Sequence, residues 1–439
     1  MTEWKHEAVS QALLAAAAAG VCMFALAAGT PEPYADSRSR PVVSPALGIV
    51  PATFVRGSRG TIVSVGATEE RAGEHFALVR YRRDGRLDRS FGTGGLVRTV
   101  IGGSSVANDG VVQRDGRIIV VGCAGEQRHD CGGDLALVRY DADGSLDPTF
   151  GNGGIVRTSF GRRTEGEARA VALQADGRIV VAGGLFSSAP SRYELLVARY
   201  MPNGRLDASF GHAGMVRLLS SDFAGGELNE VVVGSGGRIV VAGATVLSRT
   251  TDGLKVVRLR SDGSIDRPFG SNGTVVVPLS STQPCCSQVG ALHVAADGSV
   301  VVGGQDSALH RHFAVIRLNP SGRLDRRFAR RGRLVRRWRG DVWAMVEELI
   351  PDGRSLLAVG YATRGPTPVR RSLHFVAFRL LPGGQLDASF GPGGRRSTEA
   401  GVPAIAAFRE GSRLLVAGAD DNPTGRLRNR VVFARLPLR

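Results

Sequence analysis

Lysine is almost missing from this chain. Of 56 basic residues only Lys5 and Lys255 are lysines, so the formal net charge of +16 is carried by arginine. Guanidinium groups grip carboxylates and phosphates through paired N–H donors, which a lysine cannot do. A basic surface of this kind suits an acidic polymer. Histidine is sparse, at 8 of 439 residues, and no Gly-x-Ser-x-Gly string occurs, so no hydrolase nucleophile signature is present. The glycine-rich strings, such as Gly151-Asn152-Gly153-Gly154, do not precede a helix and are not phosphate cradles. No catalytic residue and no cofactor is expected. Hydrophobic residues make up 43% and charged residues 22%, which is a globular composition and not a disordered one. The 60 glycines sit at regular intervals and read as hairpin punctuation.

The first 40 residues stand apart. Ala12 to Thr30 is a nearly unbroken apolar run, closed by the small residues Ala25, Ala27, Ala28 and Gly29 and followed by Pro31-Glu32-Pro33. Residues 1–30 read as a secretory signal peptide with a small-residue end. The alternative is a retained membrane anchor through residues 12–30, because the run is nearly long enough to span a bilayer. Residues 31–39 form a linker. Either reading places residues 40–439 outside the cytoplasm, secreted or at the extracytoplasmic face of the cell envelope.

Those residues repeat one line seven times. Phe91, Phe150, Phe210, Phe269, Phe328 and Phe390 recur at spacings of 59, 60, 59, 59 and 62 residues, and all but Phe328 precede a glycine. A fixed period means one small unit, stacked. In the third copy, 168–174, 178–184, 194–200 and 214–219 are predicted strands, with Asp176-Gly177 turning the first hairpin. The second strands, such as Ile118-Ile119-Val120-Val121 and Ile179-Val180-Val181-Ala182, are continuously apolar and so must be covered on both faces. No repeat shows a helical apolar period. The expected architecture is all-β: a seven-bladed β-propeller of four-stranded antiparallel blades. The last repeat ends after its third strand. Arg40-Pro41-Val42-Val43, just upstream of the first repeat, is predicted to complete that blade and close the ring, removing the open edges.

The recurring Gly-x-Leu-Asp-x-Ser-Phe-Gly-x-x-Gly, preceded by an apolar strand ending in arginine, resembles the bacterial delta-60 repeat family. The match is close at Leu87-Asp88, Leu146-Asp147, Leu206-Asp207 and Leu386-Asp387, and departs at Ile265-Asp266 and at Asp325-Arg326-Arg327-Phe328-Ala329. The resemblance covers about residues 40–439 and implies a secreted propeller related in layout to NHL repeats. It carries no catalytic chemistry.

A residue present in every blade is architectural, so the repeated aspartates are expected to cap their turns or pair with the strand C arginines. Departures from the repeat are the candidates. Three are expected on the face that carries the B–C and D–A connections. Cys123 and Cys131 bracket one loop and read as a disulfide. Cys285 and Cys286, with His310 and His312, form a zinc-like ligand set, although their spacing matches no zinc motif and an adjacent-pair disulfide is the plainer reading. The run from Arg326 to Arg339 offers Arg330, Arg331, Arg333, Arg336, Arg337 and Trp338 to a polyanion, or is a charged outer strand that protects a sheet edge. Export argues against a specific nucleic-acid partner.

The expected function is therefore a non-enzymatic binding propeller that engages a protein or an acidic cell-envelope polymer through one loop face. The alternative is a propeller-type hydrolase or lyase with its site at the central channel mouth. An enzyme would need non-repeated polar side chains converging near the axis. A purely structural domain of an envelope assembly is the third option.

Overall fold

The computed structural model describes residues 41–70, 73–126, 133–161, 163–188, 191–219, 228–248, 251–279, 288–306, 312–336, 341–364, 373–419 and 430–438. Among these residues, 28 strands form seven four-stranded antiparallel sheets. Blades 1 to 6 span residues 49–99, 104–158, 164–219, 228–278, 288–336 and 341–399, each a meander of strands A to D. Blade 7 takes its first three strands from 404–437 and its fourth from Val42–Pro45. Val42 lies opposite Phe433 and Pro45 opposite Arg430, so the expected closing strand is in place.

Strand A of every blade touches strand A of both neighbours, blade 7 to blade 1 included. These seven strands therefore form the innermost ring. Seven apolar clusters fill the seven gaps between adjacent blades. A blade is thus covered on both faces, which is why its second strand shows no polar alternation: Ile118–Gly125 is buried throughout. In blade 3 the strands are Thr164–Leu173, Ile179–Ser188, Ser191–Tyr200 and Met215–Leu219. The central hairpin runs further than the sequence suggests, because pairing continues to Ser188 opposite Ser191.

One feature of strand A is invisible in the sequence pattern. Each of the seven carries a one-residue bulge, at positions 52, 108, 169, 229, 290, 347 and 405. A glycine of strand B lies opposite the residue before each bulge, as Gly183 lies opposite Ala168. A Cβ added at Gly183 would stand 1.9 Å from the Glu167 carbonyl oxygen. Only glycine lets the bulged strand come so close. The meander places the A–B and C–D turns on one face of the ring and the B–C and D–A connections on the other.

Candidate functional site

The residues that recur in every blade are spent on holding the ring together. In blade 3, Arg199 Nε lies 2.8 Å from Asp207 Oδ2, and its Nη1 donates to the Ser261 carbonyl in the C–D turn of blade 4. Its Cζ sits 4.6 Å from the centre of the Phe210 ring. Burial alone would raise the Asp207 carboxyl, but hydrogen bonds from Ser209 and the Arg199 guanidinium outweigh it and hold the group below the usual carboxylate range. The same reach to the next blade recurs from Arg80 to Ala142, Arg139 to Pro202, Arg258 to Pro320, Arg317 to Pro382, and Arg379 to Leu438. Arg435 closes the circle on the Arg83 carbonyl. The Phe-Gly mark serves the same joint: Gly151 N donates to the Asn203 carbonyl at 2.9 Å, and a Cβ on Gly204 would stand 3.0 Å from the Phe150 ring. The string Asp141-Ala142-Asp143-Gly144 is part of this scaffold, since Asp143 Oδ1 accepts from Ser145 N and Oγ at 2.9 and 2.7 Å.

Non-repeated carboxylates do converge at the axis. Asp109, Glu230 and Glu348 occupy the position after the bulge in blades 2, 4 and 6, and Glu347 is itself a bulge residue. Asp109 accepts the Val171 amide of blade 3 at 2.8 Å, and Glu348 accepts the equivalent Ala407 amide of blade 7. Each of the four keeps some contact with solvent while protein surrounds it. Burial pushes Asp109 up to about 7 against the pull of the Val171 and Gly110 amides. Burial and then Glu348 push Glu347 up to about 8, and burial and then Asp109 do the same to Glu348. Glu230 is raised by burial and then by Asp109, Glu348 and Glu347. Such groups hold protons near neutral pH, the state a general acid requires. Among the described residues no three ligating groups come close enough to hold a metal ion. The signal available in the sequence was a single acidic residue at one strand A position in alternate repeats.

The arginine run of blade 5 does not lie where it was expected. Arg326, Arg327, Arg330 and Arg331 sit in the C–D turn, on the face opposite the B–C and D–A connections, and are exposed. Arg333 and Arg336 follow on the outermost strand, Arg333–Arg336, where Arg333 Nη1 donates to the Pro278 carbonyl at 2.9 Å. The run crosses from one face to the other along the outer edge because it contains a turn, a strand and the start of a connection. Arg337 and Trp338 lie outside the described residues, as do residues 1–40 with their signal or anchor segment. Cys123 is disulfide-bonded; Cys131, its expected partner, lies outside the described residues. So do Cys285, Cys286 and His310. His312 opens strand C of blade 5, with Nδ1 3.7 Å from Asp306 Oδ1.

Residues 113–150, 174–210, 235–269 and 295–328 match the family described as "Domain of unknown function (DUF5122) beta-propeller". Each stretch runs from the end of strand A to the phenylalanine of the C–D turn. No curated protein matches the chain in sequence. Among solved structures, the polysaccharide lyase Uly1 is 10% identical with a TM-score of 0.51, over 89% of this chain and 90% of that one. Sqt1 from Chaetomium thermophilum is 12% identical with a TM-score of 0.44, over 89% and 97%. Drosophila Semaphorin 2a is 8% identical with a TM-score of 0.48, over 90% and 76%. At these identities the likeness is one of fold, and the chain is a seven-bladed β-propeller whose second to fifth blades match the DUF5122 propeller family.

Proposed function

We propose that this protein is an extracytoplasmic, non-enzymatic binding propeller, and that its partner is an anionic cell-envelope polymer engaged along the outer edge of blade 5. One observation carries the reading. The seven strand C arginines each reach across a joint between blades, whereas Arg326, Arg327, Arg330 and Arg331 are exposed and have no ion-pair partner among the described residues. Four guanidinium groups in one turn and its flank present paired donors to sulfate, phosphate or uronate groups. The disulfide at Cys123 and the signal-like residues 1–30 support an oxidising, extracytoplasmic setting.

The test is binding of a labelled dextran sulfate to the full chain across a salt series. Four contacts released as counterions predict roughly a 50-fold loss of affinity between 50 and 200 mM salt. Replacing all four arginines by glutamate is expected to abolish binding. Salt-independent binding, or an unaltered variant, removes the proposal.

A second reading, a hydrolase or lyase at the central channel mouth, is favoured by the protonated carboxylates at the axis. It requires that polymer cleavage by the wild-type chain be lost in Glu348→Gln, and absence of any cleavage refutes it.

A further inference from the structure

Blade 4 departs from the repeat at three positions that meet in one place. In blade 3, Gln174 ends strand A and its Oε1 accepts from Arg199 Nη1 at 3.5 Å. Blade 4 has Gly234 there. In blades 2 and 3 the A–B turn supplies Asp115 and Asp176, which pair with Arg117 and Arg178. Blade 4 has Gly236 there, so Arg238 keeps only Asp266, at 3.6 Å. In blades 1 to 3 the hydroxyls of Ser90, Thr149 and Ser209 lie 3.3, 3.1 and 3.2 Å from the Nη2 of the strand C arginine. Blade 4 has Pro268 there, which offers no hydroxyl.

The result is a cavity of about 180 Å³ between blades 4 and 5, on the A–B and C–D face. Arg238, Arg258 and Asp297 are its charged wall, and Val240, Val294 and Pro320 its apolar wall. Arg258 is only 8% exposed. Its Nε goes to Asp266 at 2.7 Å and its Nη1 to the Pro320 carbonyl at 2.8 Å, while Nη2 meets no acceptor among the described residues. Asp266 is shared by three guanidiniums, with Arg258 at 2.7 Å, Arg238 at 3.6 Å and Arg260 at 4.0 Å. Arg258 lines the cavity, so a free N–H edge on an otherwise buried guanidinium is available there to an acceptor. Across the cavity, Asp297 Oδ1 is taken by Ser299 N and Oγ at 2.9 and 2.6 Å. Its Oδ2 faces only Arg317 Nη2, at 3.9 Å, and the side chain is 58% exposed.

We propose that this cavity is a binding site for a hydroxylated monocarboxylate, its carboxylate held by Arg258 and Arg238, its carbon stem against Val240 and Val294, and a hydroxyl donating to Asp297. Arg238, Arg258, Arg260 and Arg317 against Asp266, Asp297 and Asp325 leave one net positive charge, which matches a monoanion. A phosphate dianion would exceed that single charge beside the Asp297 carboxylate. The chemistry is shared by small hydroxy acids and by uronic acid sugars. The site is separate from the exposed arginines of blade 5, and its test does not involve them.

Titration of the full chain with glycerate and with glucuronate, followed by calorimetry, reads the site directly. Saturable one-to-one binding with a Kd on the order of 1 mM or tighter is expected for at least one of them, and the tighter of the two identifies the source. Glucose and inorganic phosphate are the controls. Gly234→Gln, which restores the side chain that fills the equivalent space in blade 3, is expected to abolish binding; Gly234 has an extended backbone, φ −88° and ψ −173°, open to glutamine, although its Cβ would stand 2.9 Å from Val294 Cγ1, which must shift. Arg238→Gln changes a half-exposed side chain and is expected to weaken binding at least tenfold, so it carries the test if the first variant does not fold. Binding that survives in Gly234→Gln, binding weakened less than tenfold in Arg238→Gln, equal binding of glucose, or no binding of either acid overturns the proposal.

Discussion

Arg199→Ala tests the joint between blades. In the folded protein the Arg199 and Asp207 side chains are 6% and 7% exposed and meet at 2.8 Å. Removing the arginine leaves a buried carboxylate held by Ser209 and by the partly exposed Arg178, whose Nε lies 3.2 Å away, so the low end of the about 3–5 kcal/mol for breaking a buried ion pair applies. The lost bond to the Ser261 carbonyl in blade 4 and the lost contact with Phe210 act at the same place and do not add in full. A total of about 4 kcal/mol is expected. Arg317→Ala is the internal comparison. Its pair with Asp325 is longer, 3.4 Å, and the side chains are 23% and 21% exposed, so about 1 kcal/mol is expected. Urea denaturation of both variants beside the wild type measures the difference. Arg199→Ala/Asp207→Ala should recover part of the loss, because no orphaned charge remains. Equal costs for Arg199→Ala and Arg317→Ala, or no recovery in the double variant, would refute the reasoning.

Gly183→Ala forces a methyl onto the Glu167 carbonyl and should cost about 3 kcal/mol in the same assay. Gly94→Ala, where a Cβ meets nothing and only a φ of +65° is strained, should cost about 1 kcal/mol. Stability should also fall as pH rises. Glu348 goes from an ordinary 4.5 to about 8 in the folded protein, so the native state keeps a proton that the unfolded chain has released. Its contribution is intact below about pH 4.5 and is lost as pH climbs through 8. The full shift corresponds to a ceiling of about 5 kcal/mol, and contact with solvent reduces this to about 2 kcal/mol. Glu348→Gln should therefore flatten the melting temperature between pH 5 and 9, and an unchanged slope would rule out the protonated state.

The ring was legible because its signals are local and repeated. Asp-Gly turns, continuous apolar strands and a 59- to 62-residue period each needed only a few neighbouring residues. The bulges were not legible, because the clash that demands Gly183 comes from a carbonyl on a different strand. Asp109, Glu230 and Glu348 each look like one polar residue in an apolar strand, and only ring closure brings alternate blades together. The arginine run does not share the face of the B–C and D–A connections, because Arg326 to Arg331 fall in the C–D turn, while Arg333–Arg336 form the charged outer strand of its alternative reading. The blade 4 cavity is made by what Gly234, Gly236 and Pro268 leave out, and an omission shows only beside its filled counterparts.

The pairing of Val42 with Phe433 joins positions 391 residues apart. At about 5–20 residues per second, the first of these emerges from the ribosome roughly 20–80 s before the second. Until then the chain can form an open arc at most, with blade 1 lacking its blade 7 neighbour and Val42–Pro45 lacking the strand it pairs with. The first strand of the ring to be made is thus the last to dock, and a bare sheet edge must wait, shielded by other means, until Arg430–Pro437 has emerged.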